Sequence, residues 1–398
     1  MTPTTHLSAL LLSVFTLLSV TRCSTQSAPS IQGKIQLSEG WKPMVYLIQP
    51  RNLAEIASNF SGIVMDSARI AEDGRFAFPK VGLNSESMPF QLCVQKVGNR
   101  FPNQLLDEIP LAANYMPVVL TPNTSLHITA EAHLFQATFK LQNPSAENTT
   151  LMELRDIRHN AWRAEQFWLE TQNHTDESLL LEHEAALLRF QQPLMAFADS
   201  TAYFWPALVA ARWVSPTNDY ERVPEFLFHL CEKWRGKTAE TAWSDQVCQS
   251  GNREKLPQLI GDKIPDYLLP MAAGDSIQLY NLLGKQLTIL DIWASWCAPC
   301  RKENREVLVP LWERHKDQGL QILGYSIDSS PAAWKAAISK DGAAWPHASH
   351  LNGDASPFLE TLRITTIPAN FILDARGKVI AKNLHGAALE AFLEAYFE

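Results

Sequence analysis

Apolar and polar residues alternate with a period of two through the first third of the chain. Phe90, Leu92 and Val94 alternate with Gln91, Cys93 and Gln95, and Leu126 and Ile128 repeat the spacing after a PNTS turn. The stretch RIAEDGRFAF, Arg69 to Phe78, sets an Asp-Gly turn between two alternating runs, which predicts a hairpin. Residues 31–141 therefore read as a small antiparallel β domain. Over 146–252 the period becomes helical: Leu154, Ile157, Ala161, Ala164 and Trp168 keep 3–4 spacing. Leu180, Leu187, Phe190, Leu194 and Phe197 form a second stripe, with Pro193 predicting a kink. Two further helices are predicted over 223–235 and 238–249. Trp162, Phe167, Trp168 and Trp205 predict core or inter-domain packing, with a peptide-binding groove as the alternative. From 256 to 398 strands and helices alternate as in an α/β domain. The predicted order is strand 287–293, helix 297–315, strand 320–327, helix 332–339, a hairpin of 370–373 with 378–381, and a closing helix over 387–397.

Composition sharpens this picture in three ways. With 46% apolar and 19% charged residues, the 398-residue chain can bury real cores and gives no compositional case for wholesale disorder. A net charge of −8 without a basic stripe argues against a nucleic-acid surface. The segment LSALLLSVFTLLSV, Leu7 to Val20, is too short to span a bilayer as a helix and suits the core of a signal peptide over 1–22. Cys23 follows it, preceded by Arg22, and resembles the lipid-attachment cysteine of bacterial lipoproteins, with 23–30 as a polar tether. Plain signal cleavage and a retained anchor are the alternatives. Each reading places the protein outside the cytoplasm, in the periplasm or cell envelope, where disulfides persist.

Six cysteines are present, and only Cys297 and Cys300 are closely spaced. Cys93 reads as a structural thiol. If Gly236-Lys237 is the turn of an antiparallel helical hairpin, Cys231 and Cys248 are offset by about 9 Å, beyond the roughly 7 Å reach of a disulfide, so no bond is expected there. For Cys297-Ala298-Pro299-Cys300, a zinc site lacks a second pair; His347 and His350 have unconvincing spacing, and no metal or other cofactor is predicted. A permanent staple closing so short a ring removes little unfolded-state entropy. A redox centre fits the placement between a buried strand and a helix. Exposed N–H groups and the helix dipole stabilise a thiolate at Cys297, lowering its pKa. Cys300, one turn on, can resolve a mixed disulfide. Pro299 sits in the first turn, where its missing N–H costs nothing.

The run LDIWASWCAPC resembles the active site of thioredoxins. With GDKIPDYLL, CRKE, GYSID and IPANFILDARGKVIAK, the stretch from about 260 to 398 is similar to extracytoplasmic, membrane-tethered thioredoxin-like reductases of the TlpA/ResA-like group. The preceding regions resemble the accessory part of bacterial lipoproteins in that group. The implied architecture is multidomain: an N-terminal β domain, a central helical region and a C-terminal thioredoxin-like fold. The resemblance implies that Cys297 is the nucleophile, Cys300 the resolving thiol and Trp296 the flanking ring, with Ala298 and Pro299 shaping the site. Pro368 matches the cis-proline that turns the Ile367 backbone toward an incoming peptide. Asp291 matches the buried acid of thioredoxins, whose pKa burial should raise; it could exchange a proton with Cys300. The lysine that thioredoxins place near that acid is replaced by Gly324. Relatives carry proline where this chain has Arg305; Pro310 comes later and implies a shifted kink.

The function implied is a thiol–disulfide oxidoreductase that reduces disulfides of envelope proteins and is itself re-reduced by a membrane electron-donor protein. A lipid at Cys23 would hold it to the membrane. A thiol peroxidase on the same fold is an alternative, although Ala294 and Leu290 stand where such enzymes carry a hydroxyl residue and a proline. A non-enzymatic binding lipoprotein is the other.

Overall fold

A computed structural model describes residues 1, 30–59, 62–78, 81, 87–122, 124–171 and 179–398. The signal segment, Cys23 and nearly all of the tether lie outside the described residues. No helix among the described residues is long and apolar enough to cross a membrane.

The chain opens with strands β1 (Ser30–Gln36), β2 (Trp41–Gln49), β3 (Ile63–Arg69), β4 (Arg75–Phe78), β5 (Met88–Lys96), β6 (Tyr115–Leu120) and β7 (Ser125–Glu131). A single turn, α1 (Phe135–Thr138), precedes β8 (Lys140–Gln142). These strands form two sheets, ordered β4-β1-β7-β8 and β3-β2-β5-β6. The first sheet is mixed and not antiparallel throughout, because β1 and β7 run parallel. The Asp-Gly turn forms, closed by Ala71 N–H to Arg75 O and Gly74 N–H to Ala71 O, both 2.8 Å, with Gly74 at φ +85°. Its two arms do not pair, however: β3 joins β2 and β4 joins β1. The predicted hairpin is a corner between sheets. Local turn chemistry sets the bend, whereas the apolar faces of the two sheets decide the strand partners.

Strand β5 is buried on both faces. One face carries Phe90, Leu92 and Val94. The other carries Gln91, Cys93 and Gln95, where Gln95 donates to Pro102 O (2.9 Å), Gln104 O (2.8 Å) and Cys93 Sγ (3.2 Å). Burial raises the Cys93 thiol pKa, so this cysteine is held as an unreactive thiol.

Helices α2 (Ala146–Thr171), α3 (Leu179–Ser200), α4 (Phe204–Val214), α5 (Pro224–Trp234) and α6 (Thr241–Ser250) follow. They share one apolar core with the two sheets, running from Ile31 to Leu259. The predicted stripes are only partly buried. Leu154, Leu194 and Trp205 are in the core, but Phe167 is 70% exposed, and so are Leu180 and Leu187 in large part. Trp168 lies among residues whose side chains are not described. Helix α3 continues through Pro193. Helix α4 is buried all round, which removes the periodicity that would have announced it.

Cys231 and Cys248 form a disulfide, contrary to the expectation from spacing. Helix α5 ends at Trp234 and α6 starts at Thr241, so the connection is six residues long and not a tight turn at Gly236-Lys237. The axial offset shrinks to about 6 Å, and the connector absorbs the rest. The Cα atoms lie 4.8 Å apart.

The C-terminal part contains β9 (Leu268–Pro270), β10 (Ser276–Gln278), β11 (Leu287–Trp293), α7 (Ala298–Glu303), α8 (Val309–His315), β12 (Leu320–Ser326), α9 (Pro331–Asp341), β13 (His347–Ala348), α10 (Pro357–Leu362), β14 (Ala369–Asp374), β15 (Val379–Lys382) and α11 (Gly386–Phe397). Its main sheet is ordered β13-β12-β11-β14-β15, with apolar cores on both faces. A π turn over Asn304–Leu308 joins α7 to α8. Pro310 is the second residue of α8. The proline has no N–H and crowds the carbonyl four residues back, and the widened turn accommodates both.

The 17-residue separation of Cys231 and Cys248 gives the bond a stabilising role. Cys231→Ala/Cys248→Ala should lower unfolding stability by about 3 kcal/mol, read as a lower urea midpoint.

Candidate active site

Strand β11 is the central strand of the main sheet, parallel to β12 and antiparallel to β14, with every residue buried. Its run of Leu, Ile and Trp suits a strand covered on both faces. Beyond Trp293 the chain turns, with Cys297 N–H bonded to Ala294 O at 3.1 Å, and α7 begins at Ala298. Cys297 is the N-cap residue: its sulfur accepts from Cys300 N–H at 3.3 Å. Cys297 and Cys300 are joined in a disulfide and are 5% and 3% exposed. Trp296, by contrast, is 63% exposed beside them.

Charged groups to which the sequence alone assigns no role fix this turn. Asp328 accepts from the Ser295 backbone N–H (2.8 Å) and hydroxyl (2.5 Å). Arg301 donates to Ser295 O at 3.1 Å and pairs with the buried Asp341, which also takes Arg305 at 3.1 Å. Arg305, the departure from proline, thus has a partner. GYSID and CRKE contained two of these groups, but nothing local paired Asp341 with them.

Asp291 sits in β11 opposite Gly324 on one side and Asn370 on the other. Burial, then the nearby Glu303 carboxylate, raises its pKa well above the ordinary aspartate value. Gly324 in turn faces His347, and a Cβ at Gly324 would collide with the His347 ring. No lysine fits there. Burial brings His347 down to about 4, so the ring is neutral at pH 7. His347 bonds Ala343 O and His350 bonds the Tyr325 hydroxyl, so the two histidines serve packing contacts. Glu303, one turn beyond Cys300, is buried and accepts from His385 Nδ1 at 2.8 Å and Gly386 N–H at 3.2 Å.

The Ile367–Pro368 peptide is cis. Ile367 packs against the same apolar cluster as Cys297 and Cys300, and its backbone makes no hydrogen bond among the described residues. The segment just before α5 clasps this loop. Glu221 accepts from the N–H groups of Thr365 (3.0 Å) and Thr366 (2.9 Å) and from the Thr365 hydroxyl (2.6 Å). Arg222 donates to Pro368 O at 2.9 Å. Sequence reasoning missed both residues, which lie more than 140 positions away in the chain.

Residues 260–382 match the AhpC/TSA family. The chain is 27% identical over 147 residues to the thiol-disulfide oxidoreductase ResA of Bacillus thuringiensis (strain Al Hakam), covering 37% of this chain and 80% of that protein. It is equally identical over 136 residues to ResA of Bacillus subtilis (strain 168), covering 34% and 73%. The C-terminal domain is a thioredoxin-like thiol–disulfide oxidoreductase. Among solved structures, the thioredoxin domain of a thiol-disulfide oxidoreductase from Bacteroides vulgatus is 29% identical, with 35% of this chain and 99% of that chain covered and a TM-score of 0.33. A thiol-disulfide oxidoreductase from Bacteroides fragilis NCTC 9343 is 30% identical, with 34% and 99% covered and a TM-score of 0.32.

In this oxidoreductase domain the raised pKa of Asp291 has a stability consequence. The folded state holds the proton more tightly than the unfolded state, so the contribution is fully present below about pH 4 and is lost as pH rises through the folded value. Asp291→Asn removes the titration. Its stability relative to the parent, measured in urea with the disulfide intact, should increase from about pH 4 to about pH 8. A pH-independent difference would place the carboxyl in a solvated environment.

Proposed function

We propose that this protein reduces disulfides of envelope polypeptides outside the cytoplasm, anchored through lipid at Cys23 and recharged by a membrane electron donor. The observation that carries the reading is the Cys297–Cys300 pair at a helix start, in the apolar cluster against which Ile367 of the cis Ile367–Pro368 peptide packs. In the reduced enzyme the Cys297 thiolate attacks one sulfur of the partner disulfide. A Cys297–partner bond forms, and the other partner sulfur leaves as thiolate and takes a proton. Cys300 then loses its proton and attacks Cys297. The partner's second sulfur departs as thiolate and is protonated, and the Cys297–Cys300 disulfide is formed. One partner disulfide is thereby reduced to two thiols as one enzyme dithiol is oxidised.

Asp291 takes the Cys300 proton in the resolving step, through water. A buried carboxyl with a raised pKa and no facing cation is a stronger base toward the Cys300 thiol than a solvated carboxylate. Trp296, Ala298 and Pro299 form the rim, and the Ile367 backbone offers its N–H and C=O to an extended client. The front half, with the Cys231–Cys248 bond, requires an oxidising compartment. A peroxidase reading has weaker support, since buried Ala294 has no hydroxyl to offer a peroxide.

The test is reduction of insulin by the dithiol-charged protein. Cys297→Ser should abolish turnover. Cys300→Ser should accumulate a covalent enzyme–insulin adduct, and Asp291→Asn should turn over about tenfold or more slowly at neutral pH. Peroxide consumption without insulin reduction would overturn the reading.

A further inference from the structure

The apolar stripe on α3 splits in two. Leu194 is in the core, and Phe190 and Phe197 pack against it. Leu187 and Leu188, two turns earlier, are 51% and 39% exposed. Together with Leu181 they form one wall of a cleft of about 910 Å³. The opposite wall is the redox domain: Pro299 from between the two cysteines, Val307 after α7, and Leu384 after β15. Thr366, two residues before the cis-proline, also lines it. The cleft therefore reaches the rim of the redox site at Pro299 and Thr366, while neither cysteine lines it.

One guanidinium fixes the two walls in register. Arg222 donates to Glu184 on α3 (2.9 Å), to Asn383 beyond β15 (3.1 Å) and to Pro368 O (2.9 Å). The volume lies at the upper end of the range for small-molecule sites, more than a small disulfide fills. A cleft with leucines on one wall, Glu182, Lys302 and Glu306 at its edges and Pro299 at one end fits an extended chain whose apolar side chains seat on the leucines while its sulfur extends past Pro299 to Cys297.

We infer that this cleft binds the apolar segment flanking the target cysteine of a disulfide-bearing polypeptide, so that the helical region selects clients for the redox domain. The inference rests on the reductase reading above and adds the client's chemistry to it.

The test uses two synthetic decapeptides, each with one cysteine disulfide-linked to the same small thiol. One has Leu and Val flanks; the other has Ser and Gly flanks. The parent protein should favour the apolar peptide by about tenfold in kcat/KM. Leu187→Glu/Leu188→Glu should bring that ratio to within about twofold of unity. Leu188→Gln alone, a milder surface change, should lower it part-way. Because each ratio compares two peptides on one protein, a general loss of reactivity cancels. No preference in the parent, or a preference that survives the double substitution, would overturn the inference while leaving the reductase reading intact. Failure to reduce either peptide would overturn both. If the double variant instead loses self-association or binding to anionic lipid vesicles, with the peptide ratio unmoved, the cleft belongs to a second copy or to a membrane and the inference fails.

Discussion

A backbone N–H aimed at a sulfur organises the redox site: Cys300 N–H lies 3.3 Å from Cys297 Sγ at the start of α7. That contact exists because β11, buried on both faces, ends where a helix must begin. Cys297 is the residue left to cap it. The first turn of a helix leaves N–H groups without backbone partners, and an anionic sulfur satisfies one of them better than a neutral thiol does. The surrounding charges serve this turn. Asp328 holds Ser295 from one side, and Arg301, braced by Asp341, holds it from the other.

Within the sheet, electrostatics push the other way. Asp291, Gly324 and His347 lie side by side across three strands, and none presents a cation at neutral pH. A carboxyl in that row keeps its proton unusually long. One cysteine thus sits where negative charge is favoured, while the acid on β11 sits where it is disfavoured. The proposed resolving step uses that division, because a carboxylate with a raised pKa is a stronger base than a solvated one.

The C-terminal half was readable because its signals are local. A strand apolar but for Thr288 and Asp291, a capped helix after it and an Asp-Ala-Arg-Gly turn each set their own element, and β11 and the β14–β15 hairpin fall where expected. The front half depends on partners distant in sequence. The Asp-Gly turn was recognisable, but which sheet each arm joins depends on how two apolar faces meet. Helix α4 carries no polar stripe to mark its period. The Cys231–Cys248 bond was misjudged because a six-residue connector was read as a tight turn. At the site, the two cysteines are legible by motif, and the cis-proline only through the family resemblance. Glu221 and Arg222 are not legible, because a clasp between regions leaves no periodic trace in either one. The two apolar clusters of the C-terminal domain are separate from the core of the front half, so the two halves meet largely through such polar contacts, including Glu225 with Ile260 N–H and Lys382.

The most direct measurement is the ionisation of Cys297 in the reduced protein, followed by the rate of iodoacetamide alkylation against pH with Cys300 replaced by serine. The account predicts a midpoint clearly below the free-thiol value of about 8.5. A midpoint at or above that value would mean that the helix end does not stabilise the thiolate, and would contradict the assignment of Cys297 as the attacking sulfur.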